Sequence, residues 1–600
     1  MSQTIRIGNA QAFWGDRPSA AKEILTQVPD LDYLTMDYLA EVSMSILALQ
    51  RERNPQAGYP QDFVEVVRGL APYWLSGGKC KLIANAGGLS PMACAEACRS
   101  VLEMSGCRSL KIGVVGGDDV LGILKTNHPI EIEHFNNLDT KQPLGSVQDR
   151  LVTANAYMGC SGIVEALKMG ADIVITGRVA DPSMVLAACV HHFDWRYDDW
   201  DLLAAGTLAG HLLECGTHAT GGISTDWLDV PSPMDIGFPI AELSGDGNLV
   251  ITKSDASGGC VTVQTVKEQL LYEISDPARY ISPDVVVSFL GLSVEQIDIN
   301  RVAVRGAKGH KQPDTLKVSA TYRDGYRAAG TLTIVGPQAV AKGRRCGQIV
   351  LERLKDANWN FSQTVVECLG NGASIPVLEA INAGHDSFET VLRIAVESPS
   401  KDAVDAFSKE MIPLVTAGPQ GTTGYAQGRP SVQPVFRYWP CLIEKKLVRT
   451  SVQSISTEDR SSGKAPSDTW PKCPAPKRTD TACSATVAQE KHQASISQNP
   501  KRLYSVAYGR SGDKGINANI GILARNPSDY LWLKSWLTAQ RVQEYFESMG
   551  VERVERFEVP NLHGLNFLVH GILSCSIRND AQGKGLAQAL LAMPIEDADV

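Results

Sequence analysis

Along its first two hundred residues the chain repeats one cadence. A short apolar run is followed by a loop of Gly, Asn and Asp, and then by helical spacing. Ile5 to Gly8 reads as a strand, and helical spacing runs from Ser19 to Thr26. Further strands are expected over Asp32 to Met36, Cys80 to Ala84, Leu110 to Val115 and Ala171 to Ile175. A helix is expected from Met92 to Glu103, behind Ser90 at the N-cap and Pro91 at the first helical position. Another is expected over Ala154 to Met169, closed by Gly170. Runs such as Ile173-Val174-Ile175 are apolar without alternation, as in strands covered on both faces. Alternating strands and helices imply parallel βαβ units, and so an α/β fold with a Rossmann-like core. Such sheets bind ligands at the carboxyl ends of their strands, where the polar loops of this chain fall.

From about Gly206 to Thr450 the pattern shifts. Glycine-rich turns punctuate β-like runs at Leu249 to Thr252, Val261 to Val266, Arg301 to Val304, Leu316 to Ala320 and Thr331 to Val335. This reads as a mixed, β-rich extension of the first domain. Glu410 to Pro440, dense in Gly, Pro, Thr and Gln, reads as a long ordered loop. Ser451 to Pro500 is rich in Ser, Thr, Lys, Pro and Gln and poor in large apolar residues, so it cannot bury enough surface to offset its ordering entropy. It is expected to be a flexible linker, mobile over most of Ser454 to Gln498. Residues 501–600 read as a small α+β domain, with strands at Leu503 to Tyr508, Asn517 to Leu523, Val551 to Val559 and Leu565 to Val569 and a closing helix from Gly583. Three segments follow: an N-terminal domain at 1–450, a linker at 451–500 and a C-terminal domain at 501–600.

Composition narrows the function. Hydrophobic residues are 44% of the 600 and charged residues 20%, ample for a large core. The net charge of −9 argues against a general nucleic-acid binder, and 6% aromatics are too few for base-stacking platforms. There is no apolar signal core at the N-terminus and no run long enough to span a membrane, so a cytoplasmic protein without membrane partners is expected. The fourteen cysteines are scattered without a CxxC pair and read as small buried hydrophobes. P-loop, GxGxxG-after-strand, GxSxG and HExxH patterns are all absent.

The candidate chemistry lies in five polar stretches. Asn85-Ala86-Gly87-Gly88 precedes a helix start, where bare N–H groups attract an anion; the bland alternative is a tight turn. Gly116-Gly117-Asp118-Asp119 could hold a ribose hydroxyl, a proton or a cation, or cap a helix. Arg178 leaves a buried strand at its functional end, where a guanidinium can clamp a carboxylate or phosphate. Asp181 would orient it or cap the next helix. His211, Glu214, Cys215 and His218 concentrate titratable groups, and on a helix His211, Glu214 and His218 could face one way. Glu214, Cys215 and His218 are the candidate proton-moving groups, against a reading as buried hydrogen-bonding residues. In the C-terminal domain, Asp513, Lys514 and Asn517 sit in a two-signed loop expected to fix a polar ligand or to dock.

At these residues the chain resembles the acyclic terpene utilisation protein (AtuA) family: Asn85 to Gly88, Gly177 to Asp181, Gly210 to Cys215 and Arg510 to Gly515 occur in order. The resemblance covers nearly the whole chain, and it implies a ferredoxin-like C-terminal domain. It also implies a role in breakdown of branched acids as coenzyme A thioesters. The leading expectation is therefore an enzyme of lyase or hydratase type, with an acyl-CoA or carboxylate substrate. No separate cofactor and no resident metal are expected, and a homo-oligomer is. Arg178 and the Asn85–Gly88 turn would hold the anion, with Asp118, Asp181, Asp513, Lys514 and Asn517 as further binding residues. Two rivals stand beside it: a non-catalytic subunit of a catabolic complex, and a metal-dependent hydrolase using Asp118, Asp119 and His218.

Overall fold

The computed structural model of the chain describes residues 4–126, 135–370, 372–381, 387–457, 470, 501–573 and 582–595. They form two compact units. The first holds the described residues within 1–321, 439–499 and 559–564, and the second those within 322–438, 500–558 and 565–600.

The first unit opens with β1 (Thr4–Asn9), α1 (Ala20–Gln27), β2 (Tyr33–Met36), α2 (Glu41–Arg53), α3 (Gln61–Leu75), β3 (Lys81–Ala84), α4 (Pro91–Met104), β4 (Lys111–Gly116) and α5 (Leu121–Lys125). It continues with β5 (Leu151–Ala156), α6 (Ser161–Lys168), β6 (Ile173–Thr176), α7 (Ser183–Phe193), α8 (Trp200–Glu214), β7 (Pro239–Ser244), β8 (Leu249–Lys253) and α9 (Val263–Leu270). Strands β1, β2, β3, β6 and β4 are neighbours in that order and mutually parallel. On one side β7, β8, Arg301–Arg305 and Ser293–Asp298 extend the sheet antiparallel, and on the other Ser451–Ser456 pairs antiparallel with β4. Every residue of β2 and β6 is buried, as their unbroken apolar runs require. One face packs a core that includes Leu34, Ile175, Phe63, Val67, Cys94, Cys98 and Leu102. Among the described residues no helix is long and apolar enough to cross a membrane.

Four expectations need correction. The expected helix over 154–169 begins as strand β5, and α6 starts only at Ser161. Its partners are remote in sequence: Thr153 Oγ1 meets Thr321 Oγ1 at 2.7 Å, and Tyr157 N donates to Lys317 O at 2.8 Å. Val261 to Val266 is not a strand. Thr262 and Thr265 form a reciprocal N-terminal cap, and α9 propagates from Val263. Glu410 to Pro440 contains a helical turn at Leu414–Ala417 and the start of a strand over Gln433–Glu444. Ser451–Ser456, assigned to the linker, is an edge strand, which needs only backbone hydrogen bonds to β4 and not large side chains. The rest of the linker, apart from Thr457 and Trp470, lies outside the described residues.

In the second unit Glu389–Ser398 lies between Gln363–Leu369 and residues 326–335 of the strand Thr315–Val335, antiparallel to both. The helices Ala339–Asp356 and Lys401–Glu410 bury Val350, Leu354, Val404 and Phe407 in the core of this sheet. A second, four-stranded sheet is built from Ala507–Lys514, Asn517–Ala524, Gly564–His570 and Arg553–Val559, in that order. The helices Asp529–Trp536 and Gln582–Leu591 cover it through Leu533, Leu586 and Leu590. Leu503–Ser505 is a 3-10 turn, so the first of these strands starts at Ala507, later than its apolar run indicates.

Candidate functional site

Four of the five parallel strands of the first unit deliver a buried polar residue just past their carboxyl ends. After β2 comes Asp37, 4% exposed; after β3, Asn85, fully buried; after β4, Asp118; after β6, Arg178, 3% exposed. These side chains bind one another. Asn85 Nδ2 donates to Asp37 Oδ1 at 2.7 Å, and Asn85 Oδ1 accepts from Tyr38 N at 2.7 Å. Asp118 Oδ2 accepts from Asn155 Nδ2 at 2.7 Å and from Arg178 N at 2.9 Å. Arg178 Nη1 donates to Leu39 O at 2.6 Å and to Asp181 Oδ1 at 2.8 Å, and the guanidinium lies 4.2 Å from the centre of the Tyr157 ring.

Burial sets the electrostatics. It pushes the Asp118 carboxyl up to about 6, opposed by its hydrogen bonds to Arg178 N and Asn155. Burial also raises Asp37 well above the usual carboxylate range; the nearby Asp181 charge adds to this and Arg178 opposes it.

The second half of the site is the end of α8. His211 and Glu214, one turn apart, meet at 3.0 Å through Nδ1 and Oε1. His211 Nε2 lies 3.0 Å from Gln269 O, a carbonyl that only accepts, so Nε2 carries a proton. Nδ1 and Oε1 therefore hold one proton between them, on either the carboxyl or the imidazole. Burial pushes the Glu214 carboxyl up to about 7, His211 opposes the rise, and the Asp181 and Glu273 charges reinforce it. The other oxygen, Glu214 Oε2, is buried and has no hydrogen-bond partner among the described residues. Gln269 braces this arrangement: its Nε2 donates to His211 O at 3.0 Å, and its Oε1 lies 3.3 Å from His218 Nδ1. Tyr280 and Phe289 pack on the His211 ring at 5.4 and 5.9 Å between centroids.

The two halves are adjacent. Asp181 acts electrostatically on both Asp37 and Glu214. A Cβ on Gly210, one turn before Glu214, would lie 2.4 Å from Pro182 O, so α8 crosses directly against the start of α7. The loop after β1 closes the same end: Gln11 O accepts from Asp37 N at 3.0 Å, and a Cβ on Gly216 would lie 3.0 Å from Ala12 Cβ.

The structure thus gathers Asn85, Asp118, Arg178, Asp181, Glu214 and Cys215 around one end of the sheet, with His218 behind them on Gln269. Three expected roles change. Gly87 and Gly88 are not an N–H cradle for an anion: Gly87 N donates to Thr176 O, Gly88 N to Asn85 O, Leu89 N to Gly58 O and Ser90 N to Gly87 O. These glycines permit close packing instead, since a Cβ on Gly87 would lie 2.5 Å from Thr176 O. Burial and the Glu214 and Glu273 charges push the Cys215 thiol well above its ordinary value, which keeps it protonated. The Asp118, Asp119 and His218 metal reading gains no geometric support: no group of three or more His, Cys, Asp or Glu among the described residues is arranged to hold an ion.

In the second unit, Asp513, Lys514 and Asn517 end a hairpin that turns through Gly515 at φ 65°. Asn517 Oδ1 accepts from Gly571 N at 3.0 Å. Asp37, Gln269, Asn155 and Tyr157 carry no motif in the sequence; the one available signal is a polar residue just beyond a buried run, which Asp37 satisfies.

The sequence model of the acyclic terpene utilisation family protein AtuA matches residues 5–454, and that of the AtuA ferredoxin-like domain matches 501–596. No curated protein and no solved structure matches the chain. With three quarters of its length under the first model and most of the remainder under the second, the chain belongs to the acyclic terpene utilisation family AtuA, with the ferredoxin-like domain of that family at its C-terminal end.

Proposed function

We propose that this chain is an enzyme of branched-acid catabolism that moves a proton on an acyl thioester, in a reaction of the lyase or hydratase type. The observation that carries the reading is the His211–Glu214 pair, buried beside Asp181 and sharing one proton, with the carboxyl pushed up to about 7. A group of that affinity both takes and returns a proton at neutral pH, which is what a general acid–base residue needs. Addition of water to a double bond and cleavage of a carbon–carbon bond beside a hydroxyl each take one proton from the substrate and give one back. Glu214 is the exchanging group. His211 is a positioning residue, held in one tautomer by Gln269 O.

Arg178 in this reading organises carboxylates. Its charge opposes the rise of Asp37 and pairs with Asp181, so that Glu214 is left as the carboxyl nearest neutrality. The Rossmann-like label for the parallel strands β1, β2, β3, β6 and β4 belongs to the same proposal, as does placing the substrate at their carboxyl ends. The experiment is turnover of a panel of branched 3-hydroxyacyl- and 2-enoyl-CoA esters by the purified full chain, followed by mass spectrometry. Loss or gain of water, or cleavage to two acids, is expected. A chain that leaves every ester unchanged and binds none of them contradicts the reading.

A further inference from the structure

We propose that the polar end of the ligand enters this site as a hydrogen-bond donor, a hydroxyl group, and that Gln11 is the residue that selects it. The proposal deepens the reading above and rests on it for the placement of the site.

Donors and acceptors at the strand ends do not balance. The donors are largely committed within the protein. Arg178 Nη1 serves Leu39 O and Asp181, Asn85 Nδ2 serves Asp37, Asn155 Nδ2 serves Asp118, and His211 Nε2 lies on Gln269 O. Gln11 Nε2 donates to Phe13 O at 2.8 Å. Three buried acceptors are left: Asn155 Oδ1 on β5, Gln11 Oε1 in the loop after β1 and Glu214 Oε2 at the end of α8 have no partner among the described residues, and the last two are brought together by the loop after β1. Gln11 is 2% exposed, and its carbonyl holds Asp37 N, so it belongs to the same strand-end layer as Asp37. The next residue, Ala12, abuts Gly216, two residues past Glu214. The proton shared by Glu214 Oε1 and His211 Nδ1 leaves Oε2 an acceptor whichever of the two holds it.

A buried acceptor without a donor costs free energy, and a ligand that supplies the donor recovers it. A ligand lacking the donor leaves that cost in place, which is how polar sites reject analogues missing one hydroxyl. The tight-binding form of a substrate here therefore carries a hydroxyl at this position. An anionic group at the same place would meet Glu214, Asp37 and Asp181 instead.

The test uses the full chain and two matched pairs in calorimetry: 3-hydroxybutanoyl-CoA against butanoyl-CoA, and 3-hydroxybutanoate against butanoate. The expected result is at least tenfold tighter binding of the hydroxylated thioester. In Gln11→Leu that ratio falls towards one, with butanoyl-CoA bound as before. Should Gln11→Leu fail to fold, Gln11→Glu, which keeps an acceptor, is expected to retain the preference. Equal binding within both pairs overturns the hydroxyl proposal while leaving the thioester reading intact. A preference seen only in the free acids supports the hydroxyl proposal and contradicts the thioester reading. A ratio unchanged in Gln11→Leu overturns the role of Gln11, and no binding of any of the four compounds overturns both proposals.

Discussion

Arg178 and Asp181 form an ion pair across one turn, with Nη1 2.8 Å from Oδ1, in which the guanidinium side is 3% exposed and the carboxylate side 35%. The same nitrogen holds Leu39 O, and Tyr157 lies against the guanidinium. One side chain thus fastens the loop after β2, the residue after β5 and its own loop after β6.

Arg178→Ala is expected to lower stability before anything else. Breaking a fully buried ion pair costs about 3–5 kcal/mol, and the partial exposure of Asp181 places the cost here towards or below the lower end. Asp37 and Asp181 would then face one another without the cation between them. Thermal unfolding of the variant, with ligand affinity measured on the same sample, checks this. An unchanged melting temperature with a large loss of affinity would show the guanidinium to be a ligand clamp instead.

Gly177→Ala is expected to destabilise through Asp118. A Cβ at residue 177 would lie 2.2 Å from Asp118 Oδ1, so the carboxylate must shift and its Oδ2 must leave Asn155 Nδ2 and Arg178 N. Overpacking of this kind costs about 1–3 kcal/mol. Asp118→Ala removes the same contacts and the atoms the new Cβ would meet, so the two changes are expected to be strongly non-additive in a double-mutant cycle by denaturant unfolding. Simple additivity would mean that the alanine at residue 177 is accommodated elsewhere.

Gly210→Ala tests the crossing of α7 and α8. The added Cβ meets Pro182 O at 2.4 Å and Pro182 Cα at 2.5 Å, backbone atoms that cannot swing aside. The helices must separate, and Glu214 moves away from Asp181. Activity is expected to fall more than tenfold in protein that still folds, with the pH midpoint assigned to Glu214 shifted towards the ordinary carboxylate range. Retained activity with an unmoved midpoint would contradict the adjacency.

The raised carboxyl also predicts a pH dependence of stability. Glu214 has a higher proton affinity folded, about 7, than unfolded, near 4.5, so the folded state binds more protons between those values. Its contribution to stability is present below about 4.5 and declines as pH rises to about 7. Glu214→Gln removes this slope. The difference in melting temperature between Glu214→Gln and the native chain is therefore expected to grow in favour of the variant from pH 5 to pH 7. A constant difference would place the Glu214 carboxyl in its ordinary range.

The sequence carried the strand-end loops because buried parallel strands are unbroken apolar runs, and the polar residue that ends each run is conspicuous. His211 and Glu214 were legible as a pair because spacing by three within a helix determines that they meet. Asp37 and Gln269 were not, because their importance comes from Asn85, 48 residues away, and from His211, 58 away. The Gly87–Gly88 turn looked like an anion cradle because its glycines are visible in sequence, whereas the acceptors Gly58 O and Thr176 O that occupy nearby N–H groups are not. Thr262 likewise capped a helix where the apolar residues around it suggested a strand.

The central claim is that Glu214 exchanges a proton with the substrate. Its most direct test is deuterium incorporation at carbon 2 of an acyl-CoA substrate incubated with the full chain in heavy water, followed by mass spectrometry across pH 5 to 9. Incorporation is expected to rise with a single midpoint near pH 7 in the native chain and to be at least a hundredfold slower in Glu214→Gln, with the fold of that variant intact. Incorporation at the native rate in Glu214→Gln, or a midpoint unmoved by that substitution, would contradict it.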